Sequence, residues 1–259
     1  VIVFVLIFLR MPVAYVMIVV GIAGYAMQTS LQTALSMASS TMFSTFTSYS
    51  LIVIPLFVWM GYIAYHAGIS RKVYDATYKV AGGIPASLAI ATIGASTAFG
   101  AICGSTTATA ATMSAVALPE MKRYNYNNSL ATATVAASAI LGIMIPPSVI
   151  FILYGVATGE SINQLFLAGI FPGLILMVLF IGVTLLQVWK KPKLAPAGQK
   201  VGWQEKITAI LNGGVEVIII FLAVMGGLFK GWFTPTEAGA VGAFCTLVVA
   251  LARRQLNWQ

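Results

Sequence analysis

The chain has 259 residues, 59% of them hydrophobic and only 8% charged, with a mean hydropathy of +0.95. A soluble domain is about half apolar and about a quarter charged, so this composition excludes an ordinary soluble enzyme, a disordered chain and a disulfide scaffold. The balance is basic, with 14 Lys and Arg against 6 Asp and Glu, but the basic residues gather in short loops between apolar runs, which membrane orientation explains without a nucleic-acid partner.

A crossing takes about 20 apolar residues, which leaves room for roughly six to eight. Val1–Leu9 is apolar from the first residue, with no initiator Met and no charged segment before it, so it is not a whole signal peptide. The chain is expected to be truncated at both ends. Pro12–Met27 predicts a Pro-started helix, and Val1–Leu9 a separate truncated one, although a single bent helix over 1–27 remains the alternative. Residues 28–50 carry no charge and few large apolar side chains, as an external amphipathic or interfacial stretch would. Leu51–Ala67 is the next crossing, with His66 at its inner end.

The run Ala86–Leu118 breaks the simple count. Lys79 lies before it and Lys122 and Arg123 after it, so an even number of passes is needed to keep all three on one side. It has about 33 residues, short for two crossings and right for a re-entrant hairpin. Its middle, from Gly94 through Gly100 to Gly104-Ser105-Thr106-Thr107-Ala108-Thr109, is crowded with Gly, Ser and Thr. Such a segment suits protein-lined or water-lined backbone at membrane depth, or a small-residue packing seam. The next run, Leu130–Ala157, contains Ile145-Pro146-Pro147-Ser148. Two prolines remove two N–H donors and clash with the preceding turn, so a discontinuous helix is predicted. Freed carbonyls at such a break can coordinate a cation, and a half-helix N-terminus can face an anion.

Ser161–Gln164 fits a capping box before the span Phe166–Trp189. The polar, Pro-containing stretch after Lys190 reads as a joint. Beyond it run Ile207–Phe229 and Pro235–Ala252, the latter opened by a second capping box, Thr234-Pro235-Thr236-Glu237. Twelve of the 14 basic residues fall in the connections at 71–79, 122–123, 190–206 and 253–254: Arg71, Lys72, Lys79, Lys122, Arg123, Lys190, Lys191, Lys193, Lys200, Lys206, Arg253 and Arg254. The connections at 28–50 and 158–165 carry none. The first set is therefore assigned to the cytoplasm. An inverted-repeat arrangement also brings Arg10 inside, leaving Lys230 as the exception. It divides the chain into a first repeat over 1–190, a linker over 191–205 and the start of a second repeat over 206–259. The first repeat would hold scaffold helices at about 1–67, the hairpin at about 86–120, the broken helix at about 129–157 and a helix at about 164–190.

At these residues the chain resembles a known family, the large membrane subunit (DctM or SiaM type) of the tripartite ATP-independent periplasmic (TRAP) transporters. The resemblance rests on Ile54-Pro55-Leu56-Phe57, Gly94–Thr109, Leu118-Pro119-Glu120-Met121, Ile145-Pro146-Pro147-Ser148 with Tyr154-Gly155, Ala168-Gly169-Ile170-Phe171-Pro172-Gly173, and Phe233-Thr234-Pro235-Thr236-Glu237-Ala238, in family order. Three places depart: Ala86-Ser87 stands for a usual Gly pair, Tyr124-Asn125-Tyr126 for a Gly-Tyr, and Thr106 for a second Ser. The resemblance covers somewhat more than the first half of a member. It implies an all-α, polytopic, inverted-repeat transporter of elevator type in a bacterial or archaeal inner membrane. Such a carrier is a sodium symporter that takes an organic anion (a C4-dicarboxylate, sialic acid or similar carboxylate) from a periplasmic substrate-binding protein. It works beside a small membrane subunit (DctQ or SiaQ type). Na+ is then the coupling ion, with no other cofactor.

Sodium needs several oxygen ligands, and neutral ones are cheapest in a membrane because a buried carboxylate is costly. The hairpin tip offers carbonyls at Gly104 and Ser105 and hydroxyls at Ser105 and Thr106. The Pro-Pro break offers carbonyls near Ile145 and Pro146 and the Ser148 hydroxyl. The expectation is that the two breaks meet and form one sodium site. For Thr109, Thr112 and Ser114 a bond to their own helix carbonyl is the simpler reading. Glu216, inside the run Ile207–Phe229 with Asn212 one turn away, is either functional or a satisfied polar contact. An intramembrane protease would need a second Asp beside Asp75, or a Gly-x-Ser-x-Gly context around Ser105 for a dyad with His66; the chain has neither. A stand-alone dicarboxylate symporter and a structural subunit compete with the binding-protein-dependent carrier, and no transition-metal site is expected.

Overall fold

A computed structural model describes residues 2–196, 198 and 201–253; Val1, Lys200 and Arg254 lie outside the described residues. No strand occurs among the described residues. The chain divides into two compact units, 1–49 and 50–259.

The first unit holds α1 (Ile2–Phe8), α2 (Val13–Gln28) and α3 (Leu31–Phe46). Arg10 takes a left-handed conformation, φ 64°, and Pro12 caps α2 in an extended one, so the first two apolar runs are separate helices and not one bent rod. The stretch 28–50 is largely helix α3, which packs against α2. It starts at Ser30, whose Oγ accepts from the Thr33 N–H at 3.2 Å.

The second unit begins with α4 (Val53–His66) and α5 (Ile69–Ala81). On α5, Ile69, Val73 and Ala76 are buried and Arg71, Asp75 and Lys79 exposed, the i, i+4, i+7 pattern of an amphipathic helix. Burial raises the Tyr74 phenol above its ordinary value. It also raises the Asp75 carboxyl, with Arg71 opposing. The hairpin follows as α6 (Ser87–Cys103) and α7 (Thr106–Arg123). Of the 17 residues of α6, 13 are buried, which places this helix inside protein and not in lipid. At 1.5 Å per residue each arm reaches about 26 Å, short of a hydrocarbon core of about 30 Å.

The broken helix is α8 (Asn128–Ser138), α9 (Leu141–Met144) and α10 (Val149–Thr158), bent by 44° across Ile145–Ser148. The physical cause is local. Pro146 and Pro147 have no N–H, so the carbonyls of Gly142 and Ile143 lose their helical donors, and Ile145 before Pro146 is pushed to an extended conformation. Then come α11 (Ile162–Lys190), α12 (Trp203–Ala209), a π turn at Ile210–Gly214, α13 (Val215–Phe229) and α14 (Pro235–Ala252). Among the described residues four helical stretches are long and apolar enough to cross a membrane: Tyr49–His66, Ile162–Lys190, Trp203–Phe229 and Pro235–Ala252. The broken helix makes a fifth.

Residues beyond the 191–205 stretch fold back on the first part, since α14 lies along α4. A Cβ on Gly242 would stand 2.5 Å from Met60 Sδ, and one on Gly239 3.2 Å from Leu56 Cβ; these small residues permit the close contact. The capping box at Thr234 is formed: Glu237 N–H donates to Thr234 Oγ1 at 3.3 Å and Thr234 N–H to Glu237 Oε2 at 2.8 Å. Thr234→Ala is expected to cost about 1 kcal/mol, measured by thermal unfolding in detergent, while Glu237→Gln, which keeps a reciprocal acceptor, should cost less. The box expected at Ser161–Gln164 is absent. Ser161 is the N-cap residue of α11 but makes no side-chain cap bond. The chain enters that helix from left-handed Gly159, φ 76°.

Candidate functional site: two helix breaks in contact

Each break is made by a terminator followed by a serine cap. At the hairpin tip Gly104 ends α6 in the left-handed region, φ 60°, with its N–H on Gly100 O at 2.9 Å. Ser105 then starts α7, its Oγ accepting from the Ala108 N–H at 3.4 Å. At the second break Ile145 ends α9, and Ser148 starts α10 with its Oγ accepting from the Phe151 N–H at 3.4 Å. Ser148 is fully buried.

The structure joins these two points directly. The Val149 N–H donates to Gly104 O at 3.3 Å. A Cβ on Gly104 would stand 2.5 Å from Pro147 O and 3.5 Å from Ser148 Cα. Behind the contact the helices are equally close. A Cβ on Gly100 would meet Gly142 Cα at 2.5 Å, and one on Gly142 would meet Thr109 Oγ1 at 2.5 Å and Ser105 O at 3.1 Å. No side chain can intervene, so the position of one break dictates that of the other.

The predicted residues divide by orientation. Gly104 and Ser148 lie at the contact. The Ile145 side chain packs on α11, where a Cβ on Gly173 would be 2.8 Å from its Cγ1. Pro146 is buried in a cis bond to Pro147. Thr106 Oγ1 is buried and has no hydrogen-bond partner among the described residues. Ser105 turns the other way. Its Oγ shares a 3.1 Å hydrogen bond with Thr107 Oγ1 and lines a cavity of about 610 Å³ between α4 and the hairpin, together with Tyr62, His66, Phe99 and Thr112. His66 shares that cavity, but its Nδ1 pairs with Tyr62 O at 3.0 Å and its ring lies tilted against Tyr62 and edge-on to Tyr65; it makes no hydrogen bond with Ser105. Thr109 bonds the Ser105 carbonyl at 2.8 Å as expected of a helix threonine; no such bond is found for Thr112 or Ser114. Pro147, whose carbonyl meets Gly104, and Val149, whose N–H reaches it, were outside the predicted set. The Pro-Pro signal marks Pro147's neighbourhood, but only the tertiary contact marks its carbonyl.

All the side chains and main-chain groups at this junction are uncharged. Carbonyl and hydroxyl oxygens without a fixed negative charge suit a weakly charged, hard cation, which unwound membrane helices commonly hold. The orphaned Thr106 oxygen is a donor still lacking a partner.

Glu216 belongs elsewhere. It lies in the first turn of α13 and is buried. Its Oε1 pairs with Lys72 Nζ on α5 and with Arg253 Nε at the end of α14, each at 3.2 Å. Its Oε2 is buried without a hydrogen-bond partner among the described residues, so the polar contact is satisfied at one oxygen only.

A helical chain with several apolar spans, a buried hairpin and a broken helix defines a multi-pass membrane protein. The sequence matches the family model described as "Tripartite ATP-independent periplasmic transporter, DctM component" over residues 1–259, and the chain belongs to that family. It is 35% identical over 205 residues to the 2,3-diketo-L-gulonate TRAP transporter large permease protein YiaN of Escherichia coli (78% of this chain, 47% of the relative). It is 34% identical over 210 residues to the C4-dicarboxylate TRAP transporter large permease protein DctM of Pseudomonas aeruginosa (81% and 48%). It is 32% identical over 247 residues to the sialic acid TRAP transporter large permease protein SiaM of Vibrio cholerae (93% and 56%). The chain thus spans about half the length of the curated relatives it matches.

Proposed function

We propose that this chain belongs to the large membrane subunit of a sodium-coupled, binding-protein-dependent secondary transporter that imports organic anions by an elevator movement. The relatives named above are permeases for a keto-sugar acid, C4-dicarboxylates and sialic acid, all carboxylates, which supports an organic-anion substrate. In this reading a periplasmic binding protein delivers the anion and a small membrane subunit completes the permease. The protein lies in the inner membrane of a bacterium or archaeon.

The observation that carries the reading is the direct contact of two helix breaks, Gly104-Ser105 and Pro147-Ser148, with a buried unpartnered hydroxyl on Thr106 beside it. Sodium would be held there by hydroxyls of Thr106 and Ser148 and by main-chain carbonyls of Gly104, Ile145 and Pro146, with the Ser105 hydroxyl rotating from its Thr107 bond and the cavity to join them. Binding at this point would tie the hairpin to the broken helix, and so couple ion occupancy to movement of both as one body.

The test uses a full-length protein containing this chain, reconstituted with its partner subunit and binding protein. Ser105→Ala/Ser148→Ala should raise the half-activating sodium concentration by about tenfold, equivalent to about 1.4 kcal/mol. Ser30→Ala removes a cap of the same kind on α3 and should leave the sodium curve in place. Unchanged sodium activation in the double variant refutes the assignment.

A further inference from the structure

The ion triad around Glu216 lies outside the proposed ion site, and its placement suggests a separate job. Glu216 is buried, its side chain 5% exposed, and both cations converge on one oxygen, Oε1, while Oε2 is buried with no hydrogen-bond partner among the described residues. Burying a carboxylate is costly unless it is paired. Here the pair spans three helices: α5 through Lys72, α13 through Glu216 and α14 through Arg253.

Two further contacts bind the same helix. Just before α13, the π turn Ile210–Gly214 brings Gly213 against α5: any Cβ there would collide with the Lys72 carbonyl and would lie 3.3 Å from Ala76 Cβ. Only glycine admits that approach. At the other end of α5, Lys206 on α12 donates its Nζ to Val80 O at 3.0 Å and Gly82 O at 3.5 Å, closing the terminal carbonyls where a cation is favoured. The segment 206–216 thus holds α5 near both ends. Immediately after the Lys206 contact the chain changes character. Gly83 and Ala86 are left-handed, φ 85° and 59°, with Pro85 between them, and this joint leads into the hairpin.

We propose that Glu216 is a positioning residue that fastens α5 to the α13–α14 pair throughout transport, so that the hairpin moves about the 82–86 joint while α5 stays in place. This rests on the elevator movement proposed for the whole protein. It assigns to α5 the role of a fixed mount, and to the triad the role of keeping that mount from following the hairpin.

Glu216→Gln in the full-length protein should lower the maximal uptake rate by at least about fivefold with the half-activating sodium concentration unchanged. Glu216→Asp should recover part of it. A shift in the sodium curve without loss of rate would place Glu216 in ion binding and overturn the proposal. The decisive arm replaces the native cysteines and introduces Lys72→Cys with Glu216→Cys, then bridges the pair with a short bifunctional thiol reagent. A fixed mount predicts a slow unbridged protein whose uptake rises on bridging and stays unchanged with a monofunctional reagent. Abolition of uptake by the bridge shows that α5 leaves α13 during the cycle and overturns the proposal, as does wild-type uptake in the unbridged protein. The unaltered full-length protein separates the two claims: if it imports no anion under a sodium gradient, the transport reading itself has failed.

Discussion

Gly104→Ala, in a full-length protein containing this chain, should abolish sodium-driven uptake and destabilise the protein by about 2–5 kcal/mol. Two costs combine. The left-handed conformation at φ 60° costs an L-residue about 1–2 kcal/mol. The new methyl would also sit 2.5 Å from Pro147 O, and overpacking of this kind costs about 1–3 kcal/mol. The neighbour is main chain between a proline and a buried helix start, so it cannot swing aside as a side-chain tip would. Relief requires the hairpin and the broken helix to separate, which breaks the Val149 N–H bond to Gly104 O and disperses the carbonyls and hydroxyls of the proposed site. Uptake assays with a thermal melt in detergent check this. Normal uptake in Gly104→Ala would mean that the two breaks need not touch.

The second large effect is expected one turn earlier on α6. Gly100→Val should destabilise by at least about 3 kcal/mol and reduce uptake more than tenfold, because a Cβ at 100 would lie 2.5 Å from Gly142 Cα and 3.0 Å from Gly142 N. The contact is backbone to backbone, so even alanine must push α6 and α9 apart. Gly182→Ala on α11, where nothing lies within 4 Å of the added carbon, is the matched control and should be neutral or slightly stabilising. A loss at 182 as large as that at 100 would show that the contact with Gly142 is not what makes Gly100 irreplaceable.

These two predictions show where sequence reasoning stopped. Gly100, Gly104 and Gly142 could be recognised as small residues near suspected breaks. Their composition fits equally a packing seam or a re-entrant tip, because Gly serves both. Which glycines are irreplaceable depends on what approaches them, and that is a property of residues some 40 positions apart in the chain. The same holds for Ser105 and Ser148. Both were legible as candidate hydroxyls. The fold adds that each caps a half-helix, that Ser148 is fully buried, and that Ser105 faces a cavity shared with His66.

Glu216 shows what position along the chain leaves out. Counting along its apolar run places it near mid-membrane, where an acid reads as functional. The π turn at Ile210–Gly214 and the packing of α12 on α5 bring this run against α5, so Glu216 meets Lys72 there and Arg253 at the end of α14. Local pattern carried no sign of this, since neither cation is near it in sequence.

What the sequence determined by itself was everything governed by neighbours within a few residues. The apolar spans follow from hydropathy, the bend at Ile145–Ser148 from two missing N–H groups, the amphipathic α5 from its period, and the start of α14 from the Thr234 and Glu237 capping pair. The family is also legible there, because its motifs are short and occur in order. The tertiary structure alone decided which breaks touch, which hydroxyl is left without a partner, and which charges pair. The physical reason is that those outcomes depend on helix approach to within a methyl group, and the approach is set by packing across the whole second unit.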